Sequence, residues 1–186
     1  NEFRNLNGET MIFACFLAVS LGLLPDPLTS YVFERDSTTR WTQSPAKGVP
    51  KSIDLISQTW HGVKWKNDIT INQPAKLVNK GTAVLVITGA RTGLNDEAFA
   101  SNLAGIAGMP VATLYQVPNQ PIWEQKEDGL IALTLQKWFE TKVDSWPLLF
   151  PMAKCAYEAM NAIEKSTAKT KNPSKKFVIT GASKRG

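Results

Sequence analysis

Lys176-Phe177-Val178-Ile179-Thr180-Gly181-Ala182-Ser183-Lys184-Arg185-Gly186 is the stretch whose reading decides the fold. Phe177 to Ile179 has the length and β-branched content of a buried strand. It runs directly into a turn of small residues with one serine at the apex. A strand, a tight Gly/Ala turn and a lifted hydroxyl describe a nucleophile elbow. Small residues are needed there because they let the backbone adopt strained dihedrals. The usual spacing is G-x-S-x-G. Here it is G-x-S-x-x-G, with Arg185 where the second glycine is expected.

Working back from that stretch, Ser166 to Lys176 is a polar link. From Glu164 to Gly186 there are seven basic residues against one acid, Glu164, whereas residues 1–163 sum to −1 within a net charge of +5. A nucleic-acid surface would interleave such charge with aromatics. Only Phe177 lies in this segment, so no nucleic-acid partner is expected. Before the link, Met152, Cys155, Ala156, Ala159, Met160 and Ile163 form a helical apolar stripe, and Pro151 suits a first helical turn. Asp128 to Thr141 is also helical by pattern, its apolar positions being Leu130, Ile131, Leu133, Leu135, Trp138 and Phe139. Ser145-Trp146-Pro147 ends it. Val117-Pro118-Asn119-Gln120-Pro121 is a rigid turn.

Farther back, Ala83-Val84-Leu85-Val86-Ile87 is uniformly apolar, as a strand covered on both faces is, and Val111 to Val117 reads as a second buried strand. Between them lies a helix. Asn95 reads as its N-cap, Asp96 and Glu97 fill its first turn, Phe99, Leu103 and Ile106 are its apolar positions, and Gly108 stops it. Ile53–Trp60 and Val63–Ile71 alternate about His61-Gly62, the pattern of an antiparallel hairpin. Pro25 to Pro50 reads as an extended leading arm with a short strand near Tyr31-Val32-Phe33. The order is β-hairpin, then β-α-β-α-α-β. That order indicates an α/β fold, a sandwich with helices packed on the sheet.

The chain has 186 residues, 43% hydrophobic and 20% charged, which suits one globular core. Its one histidine and two isolated cysteines, Cys15 and Cys155, exclude the usual multi-ligand zinc sites. No metal or other cofactor is expected. Cys155 lies on the apolar face of its helix and reads as core. Met11 to Leu24 is fourteen uncharged residues, short for a membrane span and suited to a signal-peptide core, with Ser20 and Gly22 placed for cleavage before Leu23. The expected organisation is an upstream tail and signal peptide over 1–24 and part of one domain over 25–186. Secretion, or a periplasmic location in a bacterium, is the expectation, with no membrane association after cleavage; a membrane anchor or a buried helix is the alternative reading of the run.

Thr88-Gly89-Ala90-Arg91-Thr92-Gly93 is a second glycine turn between strand and helix, and two chemistries would use it. Short-chain dehydrogenases carry T-G-x-x-x-G-x-G there, with a pyrophosphate on the helix N-terminus. Thr88, Gly89 and Gly93 fit that pattern. Asn95 replaces its last glycine, and neither Tyr115 nor Tyr157 has the lysine four residues on that an NAD(P)-dependent member requires. In a hydrolase the same loop supplies one oxyanion donor, and the N–H after the nucleophile supplies the other. Ser183 would then be the nucleophile, with the Lys184 and Ala90 N–H groups as donors. This reading uses both turns.

Gln116-Val117-Pro118-Asn119-Gln120-Pro121, Asp128-Gly129-Leu130-Ile131-Ala132, Trp146-Pro147-Leu148-Leu149-Phe150-Pro151-Met152-Ala153-Lys154 and Phe177 to Gly186 occur in this order, preceded by Pro25-Asp26-Pro27-Leu28-Thr29-Ser30-Tyr31-Val32. These strings resemble the PhoPQ-activated pathogenicity-related (autocrine proliferation repressor) family over about residues 25–186. The resemblance implies an α/β-hydrolase fold, a secreted or periplasmic protein, a longer chain, and Ser183 as nucleophile. Members are known more by phenotype than by substrate. The partner is therefore an ester or amide substrate, or a cell-surface receptor if the scaffold signals without catalysis.

Hydrolase chain order is Ser, then Asp or Glu, then His. His61 precedes Ser183 and reads as a hairpin-turn residue. The acid and base are therefore expected beyond Gly186, and this stretch of chain alone is expected to be inactive.

Overall fold

In the computed structural model the described residues are 26–44, 51–91 and 94–186. The expected signal segment lies outside them. The chain divides into two compact units, Asn1–Ser30 and Tyr31–Gly186. Of the first, only Asp26 to Ser30 is described, as the opening of helix α1 (Pro27–Phe33). Asp26 caps it, its Oδ1 accepting from the Thr29 N–H at 2.7 Å, and Pro27 takes the first helical position, where its missing N–H costs nothing. A strand at Tyr31–Phe33 was the expectation. The Asp-Pro cap overrides the β-preference of Tyr31 and Val32.

The second unit is built on one six-stranded sheet, β1 (Arg40–Gln43), β2 (Lys51–Trp60), β3 (Val63–Asn72), β4 (Thr82–Ile87), β5 (Val111–Leu114) and β6 (Lys176–Gly181). Its spatial order is β1-β2-β3-β5-β4-β6. β1, β2, β3 and β5 pair antiparallel in succession, while β4 lies parallel to both β5 and β6. The hairpin forms where alternation places it. His61 and Gly62 both take positive φ, +44° and +80°, so the two-residue turn twists with its strands. A register shift between Ile56 and Gln58 changes the facing of β2, so that Ser57 and Gln58 are both buried.

Three helices follow within the sheet connections: α2 (Leu94–Ala107), α3 (Glu127–Thr141) and α4 (Leu149–Thr167). The step from β4 through α2 to β5 goes one way along the sheet. The step from β5 through α3 and α4 to β6 goes the other way. Right-handed crossovers in opposite directions place their helices on opposite faces. Accordingly, Val84 and Val111 pack with Ala100 and Ala104 of α2. Leu85, Ile87, Ala112 and Leu114 pack with Leu130 of α3 and Met152, Cys155, Ala159 and Ile163 of α4. The result is a three-layer α/β sandwich. Burying one side chain such as Leu85, 0% exposed, contributes about 1.5–3 kcal/mol.

Four local expectations are corrected. α2 starts at Leu94, so Asn95 sits in its first turn rather than capping it. Its buried positions are Ala100 and Ala104, while Phe99 and Ile106 are exposed, because only small residues let the helix approach β5 closely. In α3, Leu130 and Thr134 are buried, and Leu135, Trp138 and Phe139 point outward. The β6 strand forms but is not buried. It occupies the sheet edge, and Val178 and Ile179 are each about half exposed.

Candidate functional site

β4 is the strand at which the connection order reverses, with β5 on one side and β6 on the other. In α/β sheets a crevice opens at the carboxyl ends of the strands at such a point. Ile87 pairs with Gly181. The residues that follow each, Thr88-Gly89-Ala90 and Ala182-Ser183, therefore leave the sheet side by side at that crevice.

Ser183 has φ +57°, a left-handed conformation that non-glycine residues seldom adopt. It is exposed and opens a short 3₁₀ turn, Ser183–Arg185. Sharp reversal is what lifts the hydroxyl off the strand end. The two glycines explain the lengthened spacing. A Cβ on Gly181 would stand 2.1 Å from the Arg185 carbonyl oxygen, and one on Gly186 would stand 2.8 Å from the Gly181 oxygen. The 3₁₀ turn folds back onto the strand end, so the second glycine is required one residue later than in a five-residue elbow.

Neither the Ala90 N–H nor the Lys184 N–H has a hydrogen-bond acceptor among the described residues. The loop bearing Ala90 is fixed by its neighbours. Gln116, itself at φ +57°, donates its N–H to the Gly89 oxygen at 2.6 Å, and the Val117 N–H donates to the Thr88 oxygen at 3.1 Å. The Gln116 side chain grips β3 in turn: its Oε1 accepts from the Asp68 N–H, and its Nε2 donates to Asp68 Oδ2, both at 3.1 Å. Nearby, Arg91 and Glu97 form an ion pair at 2.9 Å.

The elbow itself is held by a charged cluster that sequence reasoning did not find. Lys184 Nζ pairs with Glu127 Oε2 at 2.8 Å and with Asp128 Oδ1. Arg185 Nη2 pairs with Glu127 Oε1 at 2.8 Å, and its Nε donates to the Val117 oxygen. Gln120 Nε2 donates to Glu127, whose own N–H returns a bond to Gln120 Oε1 at 2.8 Å. The Lys184 bond above all, then those from Gln120 and Arg185, holds the Glu127 carboxyl down at about 2. Asp128 first, then Glu127, pushes the Lys184 ammonium up. Both acids sit in the first turn of α3, where the helix dipole also favours them. The available sequence signal was the family strings themselves. Parts of three of them, residues 116–121, 128–132 and 177–186, converge here, and Glu127 directly precedes the second.

His61 is not part of this constellation. Its ring stacks on Trp146, centroids 3.7 Å apart and planes 10° apart, and its Nε2 lies 3.4 Å from Ser145 Oγ. The β3 hairpin that carries it is three strand spacings from β6, about 14 Å across the sheet. Burial lowers its pKa. Cys155 is fully buried, and burial pushes its thiol up to about 12. Among the described residues no group of three or more His, Cys, Asp or Glu is placed to hold a metal. No helix among them is long and apolar enough to cross a membrane.

A family model described as PhoPQ-activated pathogenicity-related protein matches residues 28–186. Autocrine proliferation repressor protein A of Dictyostelium discoideum is 27% identical over 197 residues, covering 95% of this chain. The chain spans 40% of that relative's length. Two solved structures overlap in part. One is a Bacteroides fragilis protein assigned as an acetyl xylan esterase, with TM-score 0.44 and 13% identity, covering 81% of this chain and 43% of its own. The other is an acetyl xylan esterase from Paenibacillus sp. R4, with TM-score 0.37 and 11% identity, covering 83% and 48%.

Proposed function

This chain belongs to the PhoPQ-activated pathogenicity-related protein family, and from that premise we propose that it carries the nucleophile and oxyanion donors of a secreted serine hydrolase of esterase or peptidase type. The observation that carries the reading is Ser183 at φ +57° on the carboxyl end of β6, beside the Gly89-Ala90 loop. Ser183 Oγ attacks the substrate carbonyl carbon. The Lys184 and Ala90 N–H groups hold the developing oxyanion, an interaction that contributes about 3–4 kcal/mol per donor in such sites. Serine needs a base to be a strong nucleophile. His61, the single histidine, is placed elsewhere, so the proposal assigns the acid and the base to sequence outside these residues. Residues 1–186 alone are then unreactive. Export rests on the uncharged run Met11 to Leu24.

The test is labelling of the complete polypeptide with a fluorophosphonate probe, followed by mapping of the modified peptide. Labelling at Ser183, abolished in Ser183→Ala, is the expected result. Absence of labelling in a folded, full-length protein would sink the catalytic reading.

A second reading is favoured by the Dictyostelium relative, whose name describes repression of proliferation. The scaffold would then be a secreted signal that needs no chemistry. Ser183→Ala separates the two readings: a signalling scaffold retains its growth effect with the serine gone, and a hydrolase does not. The dinucleotide alternative is weakened by the sequence, in which Asn95 replaces the last glycine of its pattern and neither Tyr115 nor Tyr157 is followed four residues on by a lysine.

A further inference from the structure

The tip of the β2–β3 hairpin, a second tight turn and α3 surround a cavity of about 560 Å³ lined by His61, Trp123, Leu133, Lys137 and Trp146. Its size suits a small organic ligand. Trp123 is held there against its own preference. It stands at φ +48°, followed by Glu124 at φ +62°, in a turn closed by mutual backbone bonds between Ile122 and Gln125 at 3.1 and 2.9 Å. Such turns favour Gly, Asn and Asp, and a bulky residue at positive φ marks stored strain. Burial does not account for the choice, because the Trp123 side chain remains 41% exposed.

The walls are ring faces. Trp123 and Trp146 have centroids 5.6 Å apart with planes inclined at 56°, and Trp60 backs them at 5.4 Å from Trp123. His61 stacks flat on Trp146, and its lowered pKa keeps it uncharged at neutral pH. The one charged lining residue is Lys137. Its bond to Glu140 Oε2 at 3.2 Å uses one of three ammonium hydrogens. A cage for a quaternary ammonium ion would not place a cation in its wall.

We propose that this cavity binds an aromatic carboxylate, with its ring against Trp123 and Trp146 and its carboxylate on Lys137 Nζ. The site is separate from the elbow. α3 connects the two, with Glu127 on Lys184 at one end and Lys137 ten residues on, about 15 Å along the helix. The inference therefore stands whether or not Ser183 is catalytic.

The test is ligand-observed saturation-transfer NMR on the full chain, with 3-phenylpropionate as probe. Saturable binding is expected, weakened about tenfold by Trp123→Ala and about tenfold by Lys137→Gln. The neutral analogue 3-phenylpropanamide should bind the wild-type chain about as weakly as the acid binds K137Q. Lys137 is a surface residue, so K137Q keeps the test decisive if the tryptophan variant misfolds. Absence of saturable binding, equal affinity in wild type and K137Q, or tighter binding of tetraethylammonium or a neutral trisaccharide overturns the proposal.

Discussion

Arg185 lays its guanidinium across Gly89, so that a Cβ on the glycine would stand 2.9 Å from Nη2. The side chain that follows the elbow thus covers the loop that carries the expected oxyanion donor. Beyond that loop it reaches the Val117 oxygen and Glu127. One residue therefore links β4, β5, α3 and β6 at their site-facing ends. In Arg185→Lys the charge survives but the planar fork does not. Fluorophosphonate labelling of the complete polypeptide is expected to slow by about tenfold or more in that variant, with little change in melting temperature. Equal labelling rates would show that the guanidinium does not position the site.

Two glycines at the site should respond differently to a methyl group. At Gly89 the group in the way is the end of a flexible side chain. At Gly181 it is the Arg185 backbone, 2.1 Å away. Gly89→Ala is expected to cost under about 1 kcal/mol. Gly181→Ala should cost about 2 kcal/mol or more, because the 3₁₀ turn itself must move. Denaturant unfolding of both variants measures the contrast. Similar losses in the two would mean that the turn can relax away from the strand.

Ser183 offers a test of strain. A serine at φ +57° is held in a left-handed conformation that costs about 1 kcal/mol or more relative to glycine. Ser183→Gly should therefore stabilise the fold by up to about 1 kcal/mol while abolishing probe labelling. Ser183→Ala should abolish labelling with no gain in stability. A Ser183→Gly protein that melts below Ser183→Ala would show that the elbow is unstrained.

How much of this was legible depended on how local the determining physics was. The hairpin was readable because Ile53, Leu55, Trp65, Ile69 and Ile71 alternate against lysines and Asp54, and His61-Gly62 supplies the turn. The β4–α2–β5 and β5–α3–α4–β6 order was readable from uniform apolar runs separated by helical stripes. The facing of α2 was not, because Phe99 and Ile106 are more hydrophobic than the alanines actually buried. β6 was read as buried because an apolar run signals burial without saying whether the strand is central or at an edge. The sharp turn at Ser183 was legible from the small residues around it. Glu127 was not, since its pairing with Arg185 crosses 58 residues and exists only once α3 lies beside β6. In the same way Lys154, a lysine in an apolar stripe, is explained only by its bonds to the Glu34 and Tyr31 oxygens at 2.6 and 3.3 Å.

The Glu127 cluster should leave a signature at acid pH. Its carboxyl is held at about 2 against a usual 4.5, so the folded state binds its proton later than the unfolded state. The stabilisation is complete above about pH 4.5 and is lost as pH falls toward 2. The side chain is 44% exposed, and solvent screening limits the contribution to about 1 kcal/mol. Glu127→Gln should be less stable than wild type at pH 7, and the gap should close between pH 4.5 and 2. Thermal melts across that range report it. A gap of constant size would mean that the loss comes from packing rather than charge.

Cys155 reports on the core beneath the site. It is fully buried on α4 against Ser57 of β2, and burial pushes its thiol up to about 12. At pH 8 the thiol is both protonated and inaccessible, and only the thiolate reacts. Iodoacetamide should therefore modify Cys155 only through opening of the α4–β2 packing. Its rate in the native chain should be roughly 1,000-fold or more below that of the unfolded chain. Mass spectrometry of the Cys155 peptide separates it from Cys15. Ile163→Ala, which opens a cavity in the core that α4 shares with β2, should raise the rate by the fold-change its loss of stability implies. Rapid native labelling would place Cys155 at the surface and overturn the packing of α4 on the sheet.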